Sequence, residues 1–237
     1  MEDLLFLINI LGCSRIYLTC CETSGYLGWK MAERFPDIVS KLIVINCPHP
    51  SVLNDYFNSK LYNYVKFWYL IVIQYPLLPH FLLSSKYEPE TLLSLMVGKK
   101  SVSEDEREAY MYTFFRKDDW KGSIYHLRQI NLKPKLKYDE DEIRVLSTPT
   151  LLLSGSDHPF LPTELSFRSA ELVERINIKI IPKCGMHPEA SQPALINQEI
   201  LRFFQPPVNL IEATTPNDSN ASFVSRVLGT VASTYRR

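Results

Sequence analysis

Four short runs of apolar, mostly branched residues punctuate an otherwise helical pattern. They lie at about Ile16–Cys20, Lys41–Asn46, Thr150–Ser154 and Ile178–Pro182. Runs this short, bounded by turn residues, predict strands, and the continuous apolar runs of the second and third predict strands covered on both faces. Between and after them the apolar positions recur at helical spacing. Asp3–Leu11 is apolar all round and reads as a mostly buried helix ended by Gly12. Gly25–Phe35 is a helix stopped by Pro36, Pro162–Glu174 follows the third strand, and Pro193–Phe204 follows the fourth. Alternating strands and helices predict a parallel sheet with its sites at the carboxyl ends of the strands. The strand order expected is that of the chain.

The alternation is interrupted between residues 51 and 142. Aromatic helical patterns replace strands there, over Val52–Tyr75, Glu88–Met96, Ser103–Arg116 and Ser123–Gln129. Ser103-Glu104-Asp105-Glu106 is a good helix start. The fold class expected is therefore α/β, with a core in two segments, 1–50 and 143–205, and a helical insertion at 51–142. Residues 206–237 open on Pro206-Pro207, turn polar, and read as a disordered tail.

Composition removes several classes of function. The 237 residues carry 26 basic and 26 acidic side chains, so no nucleic-acid surface is expected. Five cysteines without regular spacing form neither a disulfide framework nor a zinc pattern, and Cys13, Cys20, Cys21 and Cys47 read as small core residues in a reducing compartment. The acidic start, Met1-Glu2-Asp3, does not read as a signal peptide. The apolar tract Phe67–Leu83 is interrupted by Gln74, Pro76, Pro79 and His80, which argues against a membrane span.

The candidate chemistry sits at strand ends. Between the first strand and its helix, Glu22 stands at the apex of a tight turn with Cys20 and Ser24 as small flanking residues. Such a turn lifts the apex side chain above the sheet, beside the helix N-terminus, where a carboxylate can act as a nucleophile. The bland alternative is an exposed acid that the helix dipole favours. A turn slipped by one residue would put Cys21 at the apex instead. Asp157 and His158 follow the third strand and His187 the fourth. Each also reads as an ordinary loop residue.

Strand, elbow, helix, strand, Pro48-His49-Pro50, helical insertion, strand with acid loop and strand with His loop: that order resembles the second half of an α/β-hydrolase with a cap domain. The phrases Leu42-Ile43-Val44-Ile45-Asn46-Cys47-Pro48-His49-Pro50, Gln74-Tyr75-Pro76, Glu108-Ala109-Tyr110 and Thr148-Pro149-Thr150-Leu151-Leu152-Leu153 resemble the epoxide hydrolases, especially the membrane-associated epoxide hydrolase 3/4-like group. The resemblance covers about residues 3 to 204. It implies a two-step reaction in which an elbow carboxylate opens the epoxide to an ester, cap tyrosines bond the ring oxygen, and a His oriented by an acid activates water.

Carried across, the catalytic set is Glu22, His187, Asp157 and Tyr69. Glu22 stands where the family has aspartate, Leu127 falls on the second cap tyrosine, and His158 falls on the acid position with Asp157 one residue early. The first strands and the His-Gly-x-Pro oxyanion loop of the family have no counterpart here, which would leave the first strand on an exposed edge. The resemblance implies a small apolar epoxide-type ligand, no cofactor and no metal. It allows membrane association only through a preceding segment, in the cytoplasm or at the endoplasmic reticulum membrane. Two functions follow: an epoxide-hydrolase-like enzyme weakened by its altered positions, or a non-catalytic relative that binds an apolar ligand or a partner.

Overall fold

The computed structural model describes residues 1–60, 62–63, 72, 74–75, 103–113, 122, 124–125, 128 and 145–205. Its strands are β1 (Ile16–Cys21), β2 (Val39–Ile45), β3 (Thr150–Gly155) and β4 (Ile176–Ile181). They pair in parallel in the order β1-β2-β3-β4, as the apolar runs predict. The helices are α1 (Glu2–Ile10), α2 (Thr23–Arg34), α3 (Pro50–Ser59), α4 (Glu104–Thr113), α5 (Glu164–Arg168), α6 (Pro188–Ser191) and α7 (Pro193–Phe204). A 3-10 turn, Ser169–Leu172, continues α5.

The two faces of β2 explain its unbroken apolar run. Leu42 and Val44 pack with Trp29, Met31 and Ala32 of α2 and with Ile8 of α1. Ile43 and Ile45 point the other way, into a cluster with Leu151, Leu153, Ile181 and Ile196 of α7. Alternate side chains of one strand thus feed two cores. Trp29 is fully buried, and its indole N–H donates to Cys47 O at 3.0 Å, which ties α2 to the loop after β2. Lys41 ties β2 to the end of α7, where its ammonium donates to Phe203 O at 2.7 Å and lies over the rings of Tyr17 and Phe203. Cations suit the carbonyl end of a helix.

Several sequence expectations change. Helix α1 is not mostly buried: Ile8 is its buried residue, while Phe6, Leu7, Ile10 and Leu11 are exposed. Only one stripe of a helix can meet a sheet, and nothing among the described residues covers the other. Cys13 is likewise exposed. The pattern from Val52 to Tyr75 is not one helix, because α3 ends at Ser59 and Lys60 is extended. Ser59 Oγ and Asn63 Nδ2 both donate to Tyr56 O, so side chains replace the backbone donor that would continue the helix. The helix expected over Pro162–Glu174 is shorter, since α5 gives way to the 3-10 turn. The helix expected at 88–96, Tyr69, Leu127 and the tail at 206–237 lie outside the described residues.

Candidate active site

Strand β1 delivers Glu22 to the apex of the elbow with φ 50 and ψ −126. A side chain at positive φ is strained, and it stays there only where the surroundings hold it. Several contacts do. Ser24 Oγ accepts from Cys21 N at 2.9 Å and donates to Cys21 O at 2.6 Å, which closes the turn on itself. Glu22 N donates to Ile45 O at 2.8 Å, across to β2. The helix lies so close to the sheet that a Cβ at Gly25 would collide with Cys47 and Val44, and one at Gly28 with Cys20. The close approach therefore runs through Gly25 and Gly28, one turn further along α2 than Cys20 and Ser24 alone suggest.

Asn46 joins the remaining strand ends. It too has positive φ, 54°, a conformation asparagine tolerates better than most residues. Its buried side chain accepts from Gly155 N at 2.8 Å and donates to Gly185 O at 3.0 Å and Met186 O at 2.6 Å. One amide thus fixes the end of β3 and the loop that carries His187. That loop also passes over Gly155, where a Cβ would sit closer than 3.0 Å to Cys184 O and Gly185 O.

The two histidines are held in opposite tautomers. His187 Nδ1 faces Glu189 Oε1 at 3.1 Å. A carboxylate only accepts, so Nδ1 carries the proton and the Nε2 lone pair is left for chemistry. The bond to Glu189 raises the His187 pKa above its ordinary value of 6.5, burial opposes this, and the charges of Glu189 and Glu22 add to the rise. Glu22 therefore lies within electrostatic reach of His187.

His158 is the reverse case. Its Nδ1 accepts from Phe160 N at 3.1 Å and from Leu161 N at 3.0 Å. The proton of the neutral ring is therefore on Nε2. That nitrogen lies 3.7 Å from Glu22 Oε1, and the His158 side chain is 4% exposed. Neither of these two buried atoms has a hydrogen-bond partner.

Of the four expected site residues, Glu22 follows β1 and His187 follows β4, both at the carboxyl end of the sheet. Asp157 is exposed, and its Oδ1 accepts the Ser156 hydroxyl at 2.8 Å. Among the described residues no hydrogen bond or ion pair joins it to His187; the acid at that ring is Glu189. Tyr69 lies outside the described residues. Cys21 is kept as a neutral thiol, its pKa pushed up to about 11 by burial and by the charges of Glu189 and Glu22. His49 packs rather than reacts: it is buried, bonds Glu33 at 3.0 Å through Nε2 and caps α3 through Nδ1.

Beside His158, a small cavity lined by Asn46, Ser154, Gly155, His158, Leu161 and Ser166 has room for about one water molecule. Leu161 also belongs to an apolar cluster with Phe57, Leu53, Tyr56 and Phe160. No group of three or more metal-ligating side chains occurs among the described residues. No helix among them is long and apolar enough to cross a membrane.

A sharp strand-to-helix elbow at the first strand of a parallel sheet, a histidine loop after the fourth, and helices α3 and α4 between the second and third define a partial α/β-hydrolase fold. A solved structure described as novel epoxide hydrolases of the alpha/beta hydrolases superfamily, from metagenomes of hot environments, superposes with a TM-score of 0.72 at 20% identity, over 86% of this chain and 72% of that one. By sequence the chain is similar to epoxide hydrolase 4 of Homo sapiens, 28% identical over 213 residues, 86% of this chain and 58% of that protein. It is similar also to epoxide hydrolase 3 of Xenopus tropicalis, 30% identical over 213 residues, 86% of this chain and 57% of that protein. The chain thus spans less than two thirds of the length of these curated relatives. No family model matches it.

Proposed function

We propose that this site opens epoxides through an ester on Glu22, more slowly than an aspartate at the same elbow would. The observation that carries the reading is the strained elbow, which presents a partly exposed carboxylate at the same end of the sheet as a histidine whose Nδ1 is held by Glu189. In the first step a Glu22 oxygen attacks an epoxide carbon, the carbon–oxygen bond breaks, and the ring oxygen takes a proton from a donor in the cap. Tyr69 is the donor proposed. In the second step His187 Nε2 takes a proton from water, whose oxygen attacks the ester carbon, and the diol leaves. Glu189 holds the ring for that step, in the orienting role expected of Asp157.

The extra methylene of Glu22 moves the nucleophile by about 1 Å, a misplacement that can lower the rate by roughly 10²-fold. The apolar side chains around Phe160 and Leu161 suit a small apolar epoxide. Incubation with such an epoxide, followed by mass spectrometry of the peptide around Glu22, tests the reading. Glu22→Gln is expected to abolish the ester and His187→Gln to let it accumulate. Turnover that survives Glu22→Gln removes Glu22 from the mechanism. A chain that forms no ester in either background is instead a non-catalytic relative that binds its ligand.

A further inference from the structure

We infer that the His158 Nε2–H is the donor that holds the Oε1 of Glu22 and receives the negative charge that forms there when the ester is hydrolysed. The inference rests on the reading of Glu22 as nucleophile. It assigns a catalytic task to a residue that stands at the acid position of the resemblance, where a histidine cannot supply a carboxylate.

The argument begins with the tautomer. Two consecutive backbone N–H groups, of Phe160 and Leu161, point at Nδ1, so that nitrogen must present a lone pair. A neutral ring then has its proton on Nε2 and is a donor there, not a base. The ring is 96% out of solvent by its 4% exposure, and Phe160 lies edge-on to it at 6.2 Å. Its donor lies 3.7 Å from Glu22 Oε1, and neither atom has a hydrogen-bond partner. That gap is longer than a hydrogen bond in the resting site. Catalytic donors are placed for the charged intermediate rather than the ground state, and such bonds often tighten only along the reaction.

The electron balance is simple. With Oε1 held by His158, Oε2 attacks the epoxide and becomes the bridging oxygen of the ester. Water then adds to the ester carbon as His187 Nε2 takes its proton. The carbonyl electron pair moves onto Oε1, where the His158 N–H bonds it. When the pair returns to re-form the carbonyl, the bond between the carboxyl carbon and Oε2 breaks; Oε2 leaves as the diol's alkoxide and takes the His187 proton, while the water oxygen stays on the carboxyl carbon and completes the Glu22 carboxylate. The two histidines thus divide the work, one as acceptor and one as donor. Their second ring nitrogens fix this division, one facing a carboxylate and the other facing backbone N–H groups.

The test uses the full chain with a small apolar epoxide in single turnover, with the ester on the Glu22 peptide followed by mass spectrometry. His158→Phe is expected to slow decay of the ester by about 10²–10³-fold, the usual effect of a lost oxyanion donor. Ester formation should change much less. His158→Gln keeps an N–H and should recover part of the loss. Decay at the wild-type rate in a cooperatively melting His158→Phe variant overturns the donor role alone. Absence of any ester, in the wild type and in His187→Gln, overturns the nucleophile reading and this one with it. Independently of turnover, ¹⁵N spectra should show His158 with its proton on Nε2 and a proton shift that moves in Glu22→Gln. A proton on Nδ1 overturns the inference.

Discussion

Replacing Asn46 with alanine should destabilise the protein and loosen the loop that carries His187. Three backbone groups lose their partner: the buried Gly155 N–H and the partly buried carbonyls of Gly185 and Met186. An orphaned buried donor costs about 1–3 kcal/mol and a lost ordinary hydrogen bond about 1 kcal/mol. Alanine at φ 54 adds about 1–2 kcal/mol, because the left-handed region crowds its Cβ. With water reaching the two carbonyls, the expected loss is about 3–5 kcal/mol, a large part of the roughly 5–15 kcal/mol that holds a domain folded. Asn46→Gly removes the backbone strain and should be about 1 kcal/mol milder. Asn46→Asp keeps the acceptor but sets a charge against two carbonyl oxygens, so it should resemble alanine. Urea denaturation of the three variants, read by circular dichroism and by tryptophan fluorescence, gives the ordering. Hydrogen exchange of the Met186 and His187 amides reads the loop. An alanine variant within about 0.5 kcal/mol of wild type, with an unchanged denaturant slope, would refute the claim that this amide binds the strand ends together.

Other outcomes follow from single features. Gly155→Ala should destabilise by about 1–3 kcal/mol or more, as overpacking against backbone does; an unchanged melting midpoint would contradict the close approach of Cys184 and Gly185. Because the His187 pKa is raised and the base must be neutral, ester hydrolysis should increase with pH through an inflection above 6.5, and Glu189→Gln should move that inflection to lower pH. The same shift stabilises the fold below the unfolded pKa and is lost as pH rises through the folded one; a pH–rate profile insensitive to Glu189→Gln would remove Glu189 from this role. Made alone, the chain should self-associate along β1, which ends the sheet among the described residues and lies in the same unit as the exposed Phe6, Leu7, Ile10 and Leu11. A monodisperse monomer by light scattering would count against it.

The sheet was legible because each strand announces itself locally. Leu42 to Ile45 feed two cores in alternation, and only an unbroken apolar run can do that. The elbow was legible because a strand, a small-residue turn and a helix follow one another within a few positions. What escaped the sequence is the meeting of loops far apart in the chain. His158 Nε2 lies near Glu22 while two N–H groups of its own loop, those of Phe160 and Leu161, hold the other ring nitrogen, a matter of hydrogen-bond direction that residue identity does not carry. Asn46 left a faint signal, an asparagine at the first position past a buried strand, where a left-handed turn suits it. Glu189 left another, a carboxylate two residues after a histidine across a proline. The extent of α1 burial was misjudged because periodicity reports which side chains are apolar, not whether a neighbour arrives to cover them.

Strands β2 and β3 are hydrogen-bonded neighbours, yet the whole of residues 46–149 lies between them. Closing a long flexible loop costs free energy only logarithmically with its length, so doubling such an insertion adds about 0.6 kcal/mol. Thermodynamically the insertion is an interchangeable module: it can be lengthened, pruned or swapped while the strands beneath keep their register. Kinetics impose the opposite pressure, since pairing partners this remote slow the search for the native topology. During synthesis the half-built sheet must also wait, with one flank of β2 open, until β3 emerges. A lineage is therefore free to remodel this insertion at little expense in equilibrium stability, but each enlargement lengthens the interval in which a nascent chain exposes an unpaired strand.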